Sequence, residues 1–139
     1  MSAFVIDASI AAAWLLPDER SVVADLAFDR LRNEGAIAPA LFGFEIRELI
    51  VSNECRGRPS PSQAAEAGGA LHDLSIALGP IPLDDTPLFA LARKYRLTIY
   101  DAAYLALAIA ERTPLATLDG ALIAAARAEG VGSVGYSAA

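Results

Sequence analysis

Asp7, Asp101 and Asp119 share one local pattern: each ends an extended apolar run and directly precedes a segment with helical spacing. An aspartate so placed is first of all a helix cap, whose side chain accepts a free backbone N–H and contributes about 1 kcal/mol. Capping accounts for any one of the three taken singly. It does not account for the set, because parallel strands present their C-terminal ends along one edge of a sheet, where ligands bind. Three carboxylates would then face one crevice. Two ionised carboxylates about 4 Å apart repel by about 4 kcal/mol at an effective dielectric near 20, so protons or a cation must relieve them. Glu45 lies among apolar neighbours, where an unpartnered carboxylate is costly to bury, and joining the cluster would remove that cost. Such an oxygen-only set suits a hard divalent ion, Mg²⁺ or Mn²⁺. His72 and Cys55 are the sole histidine and cysteine, which leaves zinc no tetrahedral site.

The elements that must position these acids can be read from hydrophobic spacing. Residues 3–6 form a buried strand entering a helix over 8–16, which Pro17 ends. A second helix runs over 18–33, with Asp18 and Glu19 at its start and Gly35 at its close. Residues 36–39 make a second strand, and a helix over 41–54 carries Glu45. The Gly/Pro-rich segment 56–61 is a loop, and 62–77 is helical despite the Gly68-Gly69 pair. An edge strand follows at 80–83, then a helix at 87–95, an extended stretch at 97–100 and a helix at 102–111. A strand at 115–118, a helix at 121–129 and a possible last strand at 131–136 complete the chain. Short strands alternating with helices imply an α/β fold, a parallel sheet covered on both faces in three α/β/α layers.

The 139 residues are the size of one domain, taken here as 1–139. Although 55% of them are hydrophobic, no uninterrupted apolar span reaches the roughly 20 residues a membrane helix needs. The N-terminus lacks a basic leader, so a cytoplasmic location is expected. A net charge of −6 argues against a protein that grips nucleic acid through basic surface, unless the acids are concentrated around bound cations that themselves ligate phosphate.

Four segments carry a family likeness. Ile6-Asp7-Ala8-Ser9, Pro39 through Glu45, Leu97 through Leu105 with Asp101 inside it, and Ala116-Thr117-Leu118-Asp119 followed by Leu122 resemble, in order and spacing, the acidic motifs of PIN-domain nucleases. Within that group the chain is similar to the VapC toxins of bacterial toxin-antitoxin pairs over nearly its whole length. Glu48 departs from the pattern, since many members have asparagine there. The resemblance implies a PIN-like domain with a mostly parallel central sheet and RNA as substrate. It also implies that Asp7, Glu45, Asp101 and Asp119 hold one or two Mg²⁺ ions, with Ser9 and Thr117 as supporting polar groups. Cleavage by metal-activated water would leave a 5′-phosphate and a 3′-hydroxyl. A cognate antitoxin protein and a homodimer are the partners it implies, and a mean hydropathy of +0.40 agrees with the latter.

Arg56 and Arg58 flank a glycine and are candidate RNA contacts, with solvated charge as the bland account; the same holds for Arg93, Lys94 and Arg96. Trp14, Phe42, Phe44, Tyr100 and Tyr104 read as core or as a protein contact ahead of base stacking. Asp84-Asp85 reads as a cap. Three competing functions remain: a phosphoacceptor signalling domain, weakened by having Lys94 as its only lysine; a catalytically silent PIN-fold binding module; and a nuclease acting on DNA.

Overall fold

Each strand-to-strand connection passes through two helices, and every strand pairing is accordingly parallel. The structure, a computed structural model, describes residues 3–16, 21–57, 59–80 and 82–136. In chain order these form β1 (Phe4–Ile6), α1 (Ala8–Leu15), α2 (Val22–Glu34), β2 (Ala36–Pro39), α3 (Phe42–Cys55) and α4 (Pro61–His72). Then come β3 (Ile76–Gly79), α5 (Thr86–Tyr95), α6 (Ile99–Glu111), β4 (Leu115–Ala116) and α7 (Gly120–Ala128).

The sheet order is β3-β2-β1-β4, with Val5 in register with Ile37 on one side and Leu115 on the other. β1 is interior and completely buried, which is why its sequence is an unbroken apolar run. The chain steps outward from β1 to β2 to β3 and then returns to the far side of β1 to form β4. That reversal creates a switch point between β1 and β4, and the crevice at their C-terminal ends is where such sheets bind ligands. α6 packs on β1, β2 and β4 with α5 and α7 beside it, while α1 gathers α2, α3 and α4. Alanines fill much of the core, among them Ala11, Ala27, Ala102, Ala108 and Ala126, and their small side chains let helices approach closely.

The expected α/β architecture is present, with local corrections. α2 begins at Val22 behind a Ser21 cap that accepts Ala24 N at 2.9 Å; the stop at Pro17 and the start at Asp18 and Glu19 lie outside the described residues. α4 ends at His72, and Ile76–Gly79 is a strand and not the end of a helix. That strand takes the edge position expected of residues 80–83, because Pro80 and Pro82 have no N–H for a ladder; Ile81 lies outside the described residues. Residues 97–100 are not extended throughout. α6 already begins at Ile99, because Thr98 caps it by accepting Asp101 N at 3.1 Å. β4 is only Leu115–Ala116, and the expected last strand reduces to a single bridge from Ser133 to Leu115. Among the described residues no helix is long and apolar enough to cross a membrane.

Candidate active site

Asp7 follows β1 directly and is buried at the switch point. It caps α1, its Oδ1 accepting Ile10 N at 3.3 Å and the Ser9 hydroxyl at 2.6 Å. Its Oδ2 accepts the hydroxyl of buried Thr117, which follows β4. The same hydroxyls also accept backbone N–H groups just beyond β4. Thr117 Oγ1 accepts Asp119 N at 3.1 Å, and Ser9 Oγ accepts Leu118 N at 3.0 Å. Ser9 and Thr117 therefore bind the ends of β1 and β4 to each other through Asp7.

Asp119 caps α7 by accepting Ala121 N at 2.9 Å and is exposed. Asp101 differs from the other two. It lies in the first turn of α6, and Thr98 does the capping, so its half-buried carboxylate is free of that duty. Glu45 lies in the first turn of α3, where its Oε1 accepts the Tyr104 hydroxyl at 2.6 Å. Tyr104 is fully buried on α6, three residues beyond Asp101. Of the two places expected for this tyrosine, core or a protein contact, it takes the core, with a polar end that its residue type alone does not assign to Glu45. The signal was present, because residues i and i+3 share a helix face.

Electrostatics links these acids in a chain. Burial lifts Asp7 from its ordinary 3.8 to about 6 against the hydrogen bonds from Ser9, Thr117 and Ile10, and the Glu45 charge adds to the rise. Burial also raises Glu45, opposed by the Tyr104 hydroxyl and reinforced by the Asp101 charge. Asp101 is raised by burial and then by Asp119, with Thr98 opposing. The Tyr104 hydroxyl is pushed far above its ordinary range by burial, by its bond to Glu45 and by the charges of Glu45, Asp7 and Asp101. Among the described residues, the ion pairs Arg30–Glu34, Arg32–Asp29 and Lys94–Glu129 include none of the four acids. Among the described residues no three acidic, histidine or cysteine side chains are already closed into a metal cage. The acids are linked pairwise, Asp7 to Glu45, Glu45 to Asp101 and Asp101 to Asp119.

The other candidates lie elsewhere. Arg56 is exposed just past the C-terminal end of α3, eleven residues from Glu45 and so about 16 Å further along the helix axis. Arg58 lies outside the described residues. Glu48 is exposed and accepts the Ser52 hydroxyl at 3.1 Å, one turn along α3. Lys94 pairs with Glu129 at 3.1 Å on the surface, away from the role a phosphoacceptor site would require of its lysine. Asp85 stands at the N-cap of α5 without a side-chain cap bond, and Asp84 before it accepts Thr86 N at 3.0 Å. Phe44 and Tyr100, each immediately before a site acid, are well exposed, whereas Phe42 is buried. Trp14 is half-buried and donates to the Ala24 carbonyl at 2.7 Å.

A parallel α/β sheet with acids gathered at its switch point defines a class of domain in which the sheet edge carries the chemistry. The family model of the PIN domain matches residues 4–128, and the chain belongs to that family. PIN domains are usually nucleases and generally use divalent metals. The crystal structure of PAE2754 from Pyrobaculum aerophilum is similar in fold, with a TM-score of 0.70 at 23% identity, covering 96% of this chain and 90% of that one. No curated protein matches the chain significantly.

Proposed function

We propose that the chain is a Mg²⁺-dependent endoribonuclease and the toxin of a toxin-antitoxin pair. The observation that carries the metal-dependent part is Asp7, a carboxylate buried at the switch point, tied to both strand ends and coupled to Glu45, with no ion pair seen to it among the described residues. A hard divalent ion fits this donor set, which is all carboxylate oxygen. Asp7, Glu45, Asp101 and Asp119 would hold it, directly or through water. When bound, Mg²⁺ supplies charge neutralisation at the scissile phosphate and lowers the pKa of an attacking water. The chain's own contribution is orientation. Ser9 and Thr117 fix the plane of Asp7 and favour its charged form, while the buried ring of Tyr104 fixes one Glu45 oxygen. The products would carry a 5′-phosphate and a 3′-hydroxyl.

The deciding experiment incubates purified protein with single-stranded RNA and DNA in Mg²⁺, in Mn²⁺ and in chelator. Metal-dependent cutting of RNA supports the proposal. Cutting of DNA alone would transfer the substrate, and no cutting in any metal would favour a silent binding module.

The toxin reading rests on the likeness to VapC proteins and on what an unrestrained ribonuclease would do to its own cell. A cognate antitoxin would present an arginine, whose fork matches a carboxylate pair and would compete with Mg²⁺. Expression of the chain alone should arrest growth, and co-expression with the neighbouring reading frame should relieve the arrest. A homodimer is supported by exposed Phe44, Leu83 and Tyr100 on a chain of mean hydropathy +0.40. Light scattering at micromolar concentration tests it.

A further inference from the structure

We infer that Tyr104 is a positioning residue for metal binding: its hydroxyl occupies one oxygen of Glu45 and so presents the other to the ion. The inference rests on the metal-dependent reading above. Its ground is geometric. The Tyr104 ring is fully buried on α6 and its hydroxyl donates to Glu45 Oε1 at 2.6 Å, joining two helices across 59 residues of sequence. A buried ring cannot follow a moving partner, whereas a glutamate on a half-exposed helix turn has three torsions with which to swing toward solvent. The bond therefore restrains the glutamate.

Lone pairs show what this restraint does. An ionised carboxylate offers about four acceptor positions. Asp7 has spent most of its own on Ser9, Ile10 and Thr117, and it cannot rotate without breaking those bonds. Glu45 spends one on Tyr104 and, among the described residues, no other hydrogen bond to its carboxylate is seen, so Oε2 is open. Of these two acids Glu45 thus has the greater capacity to ligate and the greater freedom to lose. Its neighbours on α3 cannot supply the restraint, since Phe44 is exposed and Glu48 is engaged with Ser52. Groups that orient a metal ligand typically change affinity by about 10–100-fold when removed.

The test measures Mn²⁺ affinity of the full-length protein by calorimetry, without RNA, for wild type, Tyr104→Phe, Glu45→Gln and the double variant. Circular dichroism and melting accompany each. Tyr104→Phe keeps the ring and should weaken Mn²⁺ by about tenfold with the spectrum unchanged. In the Glu45→Gln background the same substitution should have no further effect, because its route to the ion is gone. Wild-type affinity in Tyr104→Phe would overturn the inference, as would an equal loss in both backgrounds, which would mean that the hydroxyl acts through packing. If Tyr104→Phe misfolds, the Tyr104 hydroxyl proton is followed by NMR of the wild-type protein as Mg²⁺ is added, and loss of its hydrogen bond to Glu45 at saturation would also overturn the inference. Asp7→Asn separates the two levels: if neither it nor Glu45→Gln alters Mn²⁺ binding, the metal site itself is wrongly assigned and the inference fails with it.

Discussion

The same pair of side chains occurs twice in this molecule with opposite electrostatic results. At the sheet edge Tyr104 donates to Glu45; at the end of α5 Tyr95 donates to Glu129. Glu129 is held below its ordinary value by the Tyr95 and Lys94 hydrogen bonds, with little burial to oppose them. Glu45 accepts an equivalent hydroxyl and is nonetheless raised, because burial outweighs the bond and its charged neighbour is Asp101. Glu129 has a protein cation, Lys94, beside it; half-buried Glu45 has, among the described residues, the Tyr104 hydroxyl and the Asp101 charge and no cation. The surface cluster pairs its carboxylate with a cation, whereas among the described residues no ion pair is seen to a site acid, and the proposed metal would supply the missing positive charge.

The largest effect should come from removing that charge. Asp101→Asn retains size and leaves the Thr98 cap in place, so the fold should survive. Cleavage should fall by more than about a hundredfold, since loss of a direct ligand exceeds the 10–100-fold typical of supporting groups. Glu45→Gln should be similarly severe. A folded Asp101→Asn protein that cuts RNA normally would remove the acids from the mechanism and leave the comparison a matter of packing alone.

A second test sets stability against activity. Asp7 binds its proton more tightly in the folded chain than in the unfolded one, so its contribution to stability is full below about pH 4 and is lost as pH rises through about 6. A rise from 3.8 to about 6 corresponds to roughly 3 kcal/mol. Without metal, Asp7→Asn should therefore melt several degrees higher than wild type at pH 7.5, and the gap should close near pH 4. Added Mg²⁺ should raise the wild-type midpoint and leave the variant nearly unmoved. A variant less stable than wild type at pH 7.5 would show that the Ser9 and Thr117 bonds outweigh burial.

How much of this was legible beforehand follows the range of the interactions. The apolar run of β1, the Gly35 stop and the Pro-rich loop after α3 are local, and they were read correctly. Gly35 adopts a φ of +75°, which only glycine takes without strain. The β3 edge strand was missed because Ile76-Ala77-Leu78 continues the helical apolar spacing, and only pairing with β2 makes it extended. Asp101 reads as a strand-end cap by its position after an apolar run like that before Asp7, but Thr98, three residues earlier, is the residue that caps α6. The acids were found as residue types, but the Tyr104–Glu45 bond crosses 59 residues and depends on α6 packing on β2, the strand that leads into α3.

A smaller effect is expected at Arg56, which lies far from the acids along α3. If RNA runs along that helix, Arg56→Ala should lower the salt slope of binding by about one and leave the rate of bound cleavage unchanged. An unchanged slope would make it solvated surface charge.

The smallest effects belong to the surface pair, and they sharpen the comparison most directly. At Glu129 the Tyr95 hydroxyl is the leading cause of the lowered pKa and Lys94 follows it. Tyr95→Phe should then raise the Glu129 titration, read by carboxylate NMR, more than Lys94→Ala does. Neither change should alter RNA cleavage, and the Lys94→Ala melting midpoint should match wild type, because exposed ion pairs add little. The order matters. If Lys94→Ala moved Glu129 further than Tyr95→Phe, the cation and not the hydroxyl would set the surface carboxylate. The difference between the two tyrosine–glutamate pairs would then lie in the missing lysine at Glu45 more than in its burial. The complementary experiment would be to ask whether Mg²⁺ lowers the Glu45 titration as Lys94 lowers that of Glu129.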